Sequence, residues 1–166
     1  MPMTPFMERF RETGVRETRS AIVAGQDDLP DGEFAFMEMY CNERGCDCRR
    51  VIINVIRPET GLTRIWATIG YGWDTLDFYR RWGGPGNDPV QMKGPYLDPL
   101  NSQTELSPAL LDLFQTVLDS PDYVERLKRH YAMFRESVDK EHAVRMAEEA
   151  KRVENRRKRL RDPRRR

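Results

Sequence analysis

All three cysteines of the chain fall within eight consecutive residues, Cys41-Asn42-Glu43-Arg44-Gly45-Cys46-Asp47-Cys48. The two most strand-like runs flank them, residues 34–40 and 50–57. Extended residues alternate faces, so Cys46 and Cys48 point the same way. Cys41 ends the preceding strand, and Gly45 permits the tight reversal between the arms. The pattern therefore gathers three sulfurs at one end of a hairpin. Neighbouring thiolates repel, and a Zn²⁺ ion resolves this by holding all three and taking a fourth ligand from elsewhere. His130 is the first choice for that ligand, because it lies on the apolar-rich half of a helix that must pack against the sheet. His142, a carboxylate of Glu43 or Asp47, and water are the alternatives; Asp47 alternates away from its flanking cysteines.

The spacing C-x4-C-x-C is not a common zinc-finger spacing, and only three ligands are local. Other readings stand beside the metal. The cysteines could be small buried hydrophobes, or Cys41 could pair with Cys46 or Cys48 in a disulfide. A redox thiol is a third reading, with Arg44, Arg49 and Arg50 supplying positive charge. No H-E-x-x-H and no general base stand beside the cluster, so catalysis by an open zinc is the weaker case.

Around the cysteines the expected fold is α+β, a three-stranded antiparallel sheet covered by about three helices. Its strands are residues 33–41, 48–57 and 63–71, with a Pro58-Glu59-Thr60-Gly61 turn between the last two. Val51-Ile52-Ile53-Asn54-Val55-Ile56 is apolar on both faces except at Asn54, as in a central strand. Helices are expected over residues 5–12, with Gly14 interrupting, over 75–82 with Asp74 as cap, and over 107–119. A last, long helix starts at Ser120-Pro121 and runs past Arg152. Val124, Leu127, Tyr131, Phe134 and Val138 form its packing seam. These elements divide the chain into an N-terminal segment, 1–32, a domain, 33–140, and a projecting helix with an Arg-rich tail, 141–166.

Trp73, Leu76, Tyr79 and Trp82 share one helical face. That is a packing stripe or, on a sharper reading, a ligand-stacking surface of Tyr71, Trp73 and Trp82 with Arg80 and Arg81 nearby. Residues 83–105 are the longest stretch without periodicity, a length at which loops are often functional. Their glycines lack the Gly-Lys-Ser/Thr ending of a phosphate loop.

Charge divides the chain. Residues 151–166 hold ten basic side chains and two acidic ones, a charge of +8, which leaves −7 on the 150 residues before them. Such a tail attracts polyanions or an acidic protein surface, with Arg156, Arg157, Lys158, Arg159 and Arg161 as the contact candidates. The alternative is a solvated, inert end. No apolar run is long enough to span a bilayer, and Met1 to Thr18 lacks a signal-peptide core. Three cysteines without a secretory signal suit a reducing cytoplasm.

Leu29-Pro30-Asp31-Gly32-Glu33-Phe34, Tyr40-Cys41, Gly45-Cys46-Asp47-Cys48-Arg49-Arg50-Val51 and Trp66-Ala67-Thr68-Ile69 resemble an uncharacterised set of bacterial proteins, over residues 29 to 135. Some of that set carry a C-terminal SEC-C zinc motif, which this cysteine-free C-terminus lacks. The resemblance implies metal binding and no established activity. The expected function is a non-enzymatic, zinc-stabilised binding or adaptor protein with a tail for nucleic acid or an acidic partner. The alternatives are an enzyme using the cysteine cluster, by thiol redox chemistry or an open zinc, and a metal-free structural domain.

Overall fold

The structure is a computed structural model that describes residues 2–60, 64–101 and 103–161. It is an α+β fold built on one antiparallel sheet. The three expected strands form its centre: β3 (Gly32–Cys41), β4 (Arg50–Ile56) and β5 (Ile65–Gly72). Three strands understate the sheet, which has six. The others are β1 (Met3–Pro5), β2 (Arg19–Val23) and β6 (Tyr96–Leu97). β1 and β2 lie end to end along the free edge of β3, and β6 extends the sheet beyond β5. Residues 3–23 are thereby woven into the same sheet as the cysteine hairpin.

Register decides which face each residue serves. Phe36 pairs with Val55, and Ile53 with Ile69, so Phe34, Phe36, Tyr40, Val51, Ile53, Val55, Ala67 and Ile69 share one face. All of them are buried. Each Val, Ile or Phe among them contributes about 1.5–3 kcal/mol relative to an exposed one. This face is covered by the short helices α1 (Phe6–Arg9) and α2 (Arg11–Glu17), by α5 (Ser107–Leu118) and by the first half of α6 (Pro121–Arg161). Gly14 does not interrupt the N-terminal helix. It sits inside α2, where a Cβ would meet the Met7 side chain.

α6 spans 41 residues, about 60 Å of helix. Tyr123, Leu127, His130, Phe134 and Val138 are its buried stripe, and Val124 and Tyr131 flank it half-buried. Beyond His142 the helix leaves the body, and residues 143–158 are exposed on every side. No helix among the described residues is long and apolar enough to cross a membrane.

The opposite face of the sheet carries Met39, Arg50, Ile52, Asn54, Thr68 and Gly70. The aperiodic segment folds over it. α3 (Leu76–Gly83) is capped by Thr75, whose hydroxyl accepts from the Phe78 N–H, rather than by Asp74. α4 (Pro89–Lys93) is capped by Asp88. A cis Gly94–Pro95 peptide then leads into β6.

Candidate metal centre

Cys41 ends β3 as its position predicts, but β4 starts only at Arg50, so Cys46 and Cys48 lie in the loop between the strands rather than on the expected strand from residue 48. The Cys41, Cys46 and Cys48 sulfurs all lie within 4.8 Å of one another, and no disulfide joins them. A tetrahedral zinc–thiolate centre, with bonds of about 2.3 Å, spaces its sulfurs about 3.8 Å apart. The three sulfurs are thus close enough to hold a metal ion. Cys41 and Cys48 are buried, and Cys46 is at the half-exposed rim.

The loop between them is shaped to serve the sulfurs. Gly45 has φ +66°, and the Cys46 N–H bonds to the Glu43 carbonyl, closing a turn. The Glu43 N–H donates to the Cys41 sulfur at 3.4 Å. The Cys48 N–H likewise supports the Cys46 sulfur, and the Arg50 N–H the Cys48 sulfur. Each sulfur is therefore faced by the amide two residues on. Hydrogen bonds of this kind favour the thiolate form that a metal needs.

The three thiols do not share charge equally. The Cys48 hydrogen bond, aided by the Glu43 amide, Cys46 and the Arg135 charge, holds the Cys41 thiol down at about 6 despite burial. The same hydrogen bond and burial push Cys48 far up. Burial first, then Cys41, pushes Cys46 up. Cys41 is thus the sulfur most disposed to carry negative charge, while Cys46 and Cys48 are pushed toward the protonated form.

α6 clamps the loop from outside. Arg135 donates from Nη1 to the carbonyls of Cys41 and Glu43, both at 2.9 Å, and from Nη2 to Asp139. One turn earlier on the same helix, the Tyr131 hydroxyl accepts from the Arg49 N–H at 3.3 Å. From the opposite direction the Tyr79 hydroxyl donates to the Arg49 carbonyl at 2.7 Å. Arg49 is left-handed, with φ +48°, a costly conformation for a residue with a side chain. Its guanidinium forks onto Asp47, reaches Asp74 at 2.7 Å and lies over the Phe78 ring. Arg49 is thus held through its backbone and side chain at once. Asp47 is committed to Arg49 and does not face the sulfurs.

His130 is not brought to the sulfurs either, which corrects the first choice for the fourth ligand. Its Nδ1 lies 2.7 Å from Glu38 Oε2, and its Nε2 lies 3.1 Å from Glu17 Oε2. Its ring stacks on Phe6 at 4.1 Å. Both nitrogens already face carboxylates, so neither can take a metal without breaking a buried pair. Tyr40 completes the cluster, with its hydroxyl 2.7 Å from the same Glu38 oxygen. His142 is at the point where α6 leaves the body, beside Arg9, Asn42 and Arg44 and not among the sulfurs. Among the described residues no histidine or carboxylate joins the three sulfurs.

The stacking candidates separate. Trp73 packs edge-on against Tyr131 and lines an open cleft of about 510 Å³ with Arg49, Lys93 and Lys128. Tyr71 is instead packed edge-on against Phe114. Trp82 is half-buried on α3, Arg80 pairs with Asp77, and Arg81 is exposed. Arg156, Arg157 and Lys158 are exposed on the projecting helix, with Lys158 paired to Glu154. The side chains of Arg159 and Arg161 lie outside the described residues.

Sequence reasoning missed Arg135, Tyr131 and Tyr79 as supports. One signal was present for Arg135, a cation beside Phe134 on the packed half of a helix. Compared with protein-family models, with curated proteins and with solved structures, the chain matches none.

Proposed function

We propose that this chain is a zinc-stabilised binding or adaptor protein, with no chemistry of its own at the cysteines. The single observation that carries this reading is the sulfur triad, with an amide behind every sulfur and Arg135 fixing its first arm. Three buried or half-buried thiols arranged in this way suit a Zn²⁺ that joins β3, β4 and, through Arg135, α6. Soft thiolate ligands favour zinc over magnesium or calcium. The projecting end of α6 is the binding arm. Its basic side chains stand clear of the body and would meet nucleic acid or an acidic protein surface through charge.

Metal analysis of protein purified without added zinc tests the first half. About one zinc per chain, and a fall in melting temperature on chelation, are expected. A metal-free preparation that melts no earlier than the untreated one sinks the reading. Gel-shift binding of RNA or DNA at low salt, lost when residues 151–166 are removed, tests the second half; no binding at low salt removes it.

One observation favours a second reading, an enzyme with an open zinc: no fourth ligand accompanies the sulfurs among the described residues. A cobalt-substituted protein separates the two. A spectrum that shifts when small anions are added indicates an exchangeable position, and an unchanged one indicates a closed, structural site.

A further inference from the structure

The sheet face opposite the helices is left with a cleft of about 560 Å³, within the range of small-molecule sites. Its floor comes from the sheet, chiefly Met3, Arg50 and Ile52, with Cys48 at one side. Its roof comes from the aperiodic stretch, with Gln91 and Met92 of α4 and then Pro99 and Leu100. Gly70 keeps the sheet low here, since a Cβ at that position would run into the Tyr96 ring. Tyr96 can therefore lie flat and form one wall.

The cleft is mainly apolar, with one unanswered cation. Arg50 donates from Nη2 to the Tyr96 hydroxyl, and its guanidinium lies over the Tyr96 ring. Its Nε–H is buried with no hydrogen-bond partner, and no carboxylate pairs with it among the described residues. A buried, unanswered N–H on a cation is costly, and an acceptor oxygen relieves that cost. The two carboxylates of the cleft are already committed. Asp98 accepts from the Leu100 N–H and Asn101, and Asp88 caps Val90. They would also repel a multiply charged ligand such as a phosphate ester, but tolerate one negative charge held on Arg50.

We infer that this cleft binds a small carboxylate with an apolar or aromatic body, its carboxylate on the Arg50 guanidinium and its body against Ile52, Met92 and Tyr96. The site is independent of the metal, although Cys48 borders both. A charge-assisted bond to Arg50 sets specificity, and apolar burial supplies much of the affinity.

Isothermal titration of the metal-loaded full chain tests it with three matched probes, 3-phenylpropanoate, 3-phenylpropan-1-ol and 3-phenylpropylamine. The acid is expected to bind about tenfold or more tightly than the alcohol or the amine. Arg50→Met should remove that preference while metal content stays unchanged. Should Arg50→Met fail to fold, Gln91→Trp decides, since it fills the cleft from an exposed position and should abolish acid binding. Equal binding of acid and alcohol, undiminished acid binding in either variant, or no binding of the acid overturns the inference. Zinc content measured on the same samples reads the metal proposal separately.

Discussion

Arg135 reaches across from α6 to hydrogen-bond the carbonyl of Cys41 at 2.9 Å, joining residues 94 positions apart. The residue is 9 % exposed and makes a second bond of the same length to the Glu43 carbonyl. A helix residue thus sets the direction of the chain where it leaves β3 and begins the cysteine loop.

Arg135→Met should destabilise the protein by about 1–3 kcal/mol, because two carbonyls lose a charged donor. It should also weaken zinc affinity, since the Cys41 arm loses its positioning. Arg135→Lys, with its single point charge, should recover part of each loss. Denaturant unfolding and competition with a chromophoric chelator measure the two effects, and unchanged metal affinity in Arg135→Met contradicts the positioning role.

Arg49 supplies a backbone test. Its left-handed conformation favours glycine, so Arg49→Gly should be more stable than Arg49→Ala by about 1 kcal/mol, although both lose the same guanidinium contacts. Glycine at an ordinary strand position would be the less stable of the two. Equilibrium unfolding of both variants gives the answer, and alanine equal to or above glycine contradicts the strain.

Metal-free protein should show a thiol-dependent stability profile. The Cys41 thiol is held at about 6 against an ordinary 9.0, chiefly by Cys48, so its contribution is full above the unfolded value and is lost as pH falls toward 6. Cys46 and Cys48 are pushed up, so above pH 9.0 they work the other way, ionising more readily in the unfolded chain. Stability should therefore rise from pH 6 to about 9 and decline beyond it. Chelator-treated protein unfolded at a series of pH values, alongside the same series for Cys41→Ser, tests this; identical profiles would argue against a preferred Cys41 thiolate.

The His130 cluster predicts acid sensitivity at another place. Burial raises the Glu17 carboxyl, but hydrogen bonds to His130 and Arg16 and the Arg129 charge outweigh it and hold it below the usual 4.5. A lowered carboxyl stabilises above its unfolded value and stops doing so as pH falls through its folded one. The stability gap between the native protein and Glu17→Gln should be present at pH 7 and close below 4.5. His130→Leu should cost about 1–3 kcal/mol, because Glu38 loses one of its two buried hydrogen-bond partners and keeps only the Tyr40 hydroxyl. Thermal melts across pH measure the first, and urea unfolding the second.

The centre of the fold was legible in the sequence because its signals are local. Alternation marks β3 and β5, the apolar run marks β4, and Ser-Pro pairs open α5 and α6. β1 and β6 were not, since they have three residues and two, and neither carries a pattern of its own. Their register comes from the edges of β3 and β5. The sulfur triad was readable from spacing, whereas its supports come from Tyr79, Tyr131 and Arg135, far away along the chain. His130 was readable as a packed helix residue; Glu17 and Glu38, which occupy its nitrogens, lie more than 90 positions before it.

The cover of the apolar sheet face comes from both ends of the chain, α1 and α2 from residues before 18 and α5 and α6 from residues after 106. A ribosome releases the central hairpins well before the helix that shields them. During synthesis the part of this face that α5 and α6 cover would stay unshielded until those helices emerge, an interval in which an open β-surface invites aggregation. A cation captured early at the hairpin tip would hold those strands in register through that delay.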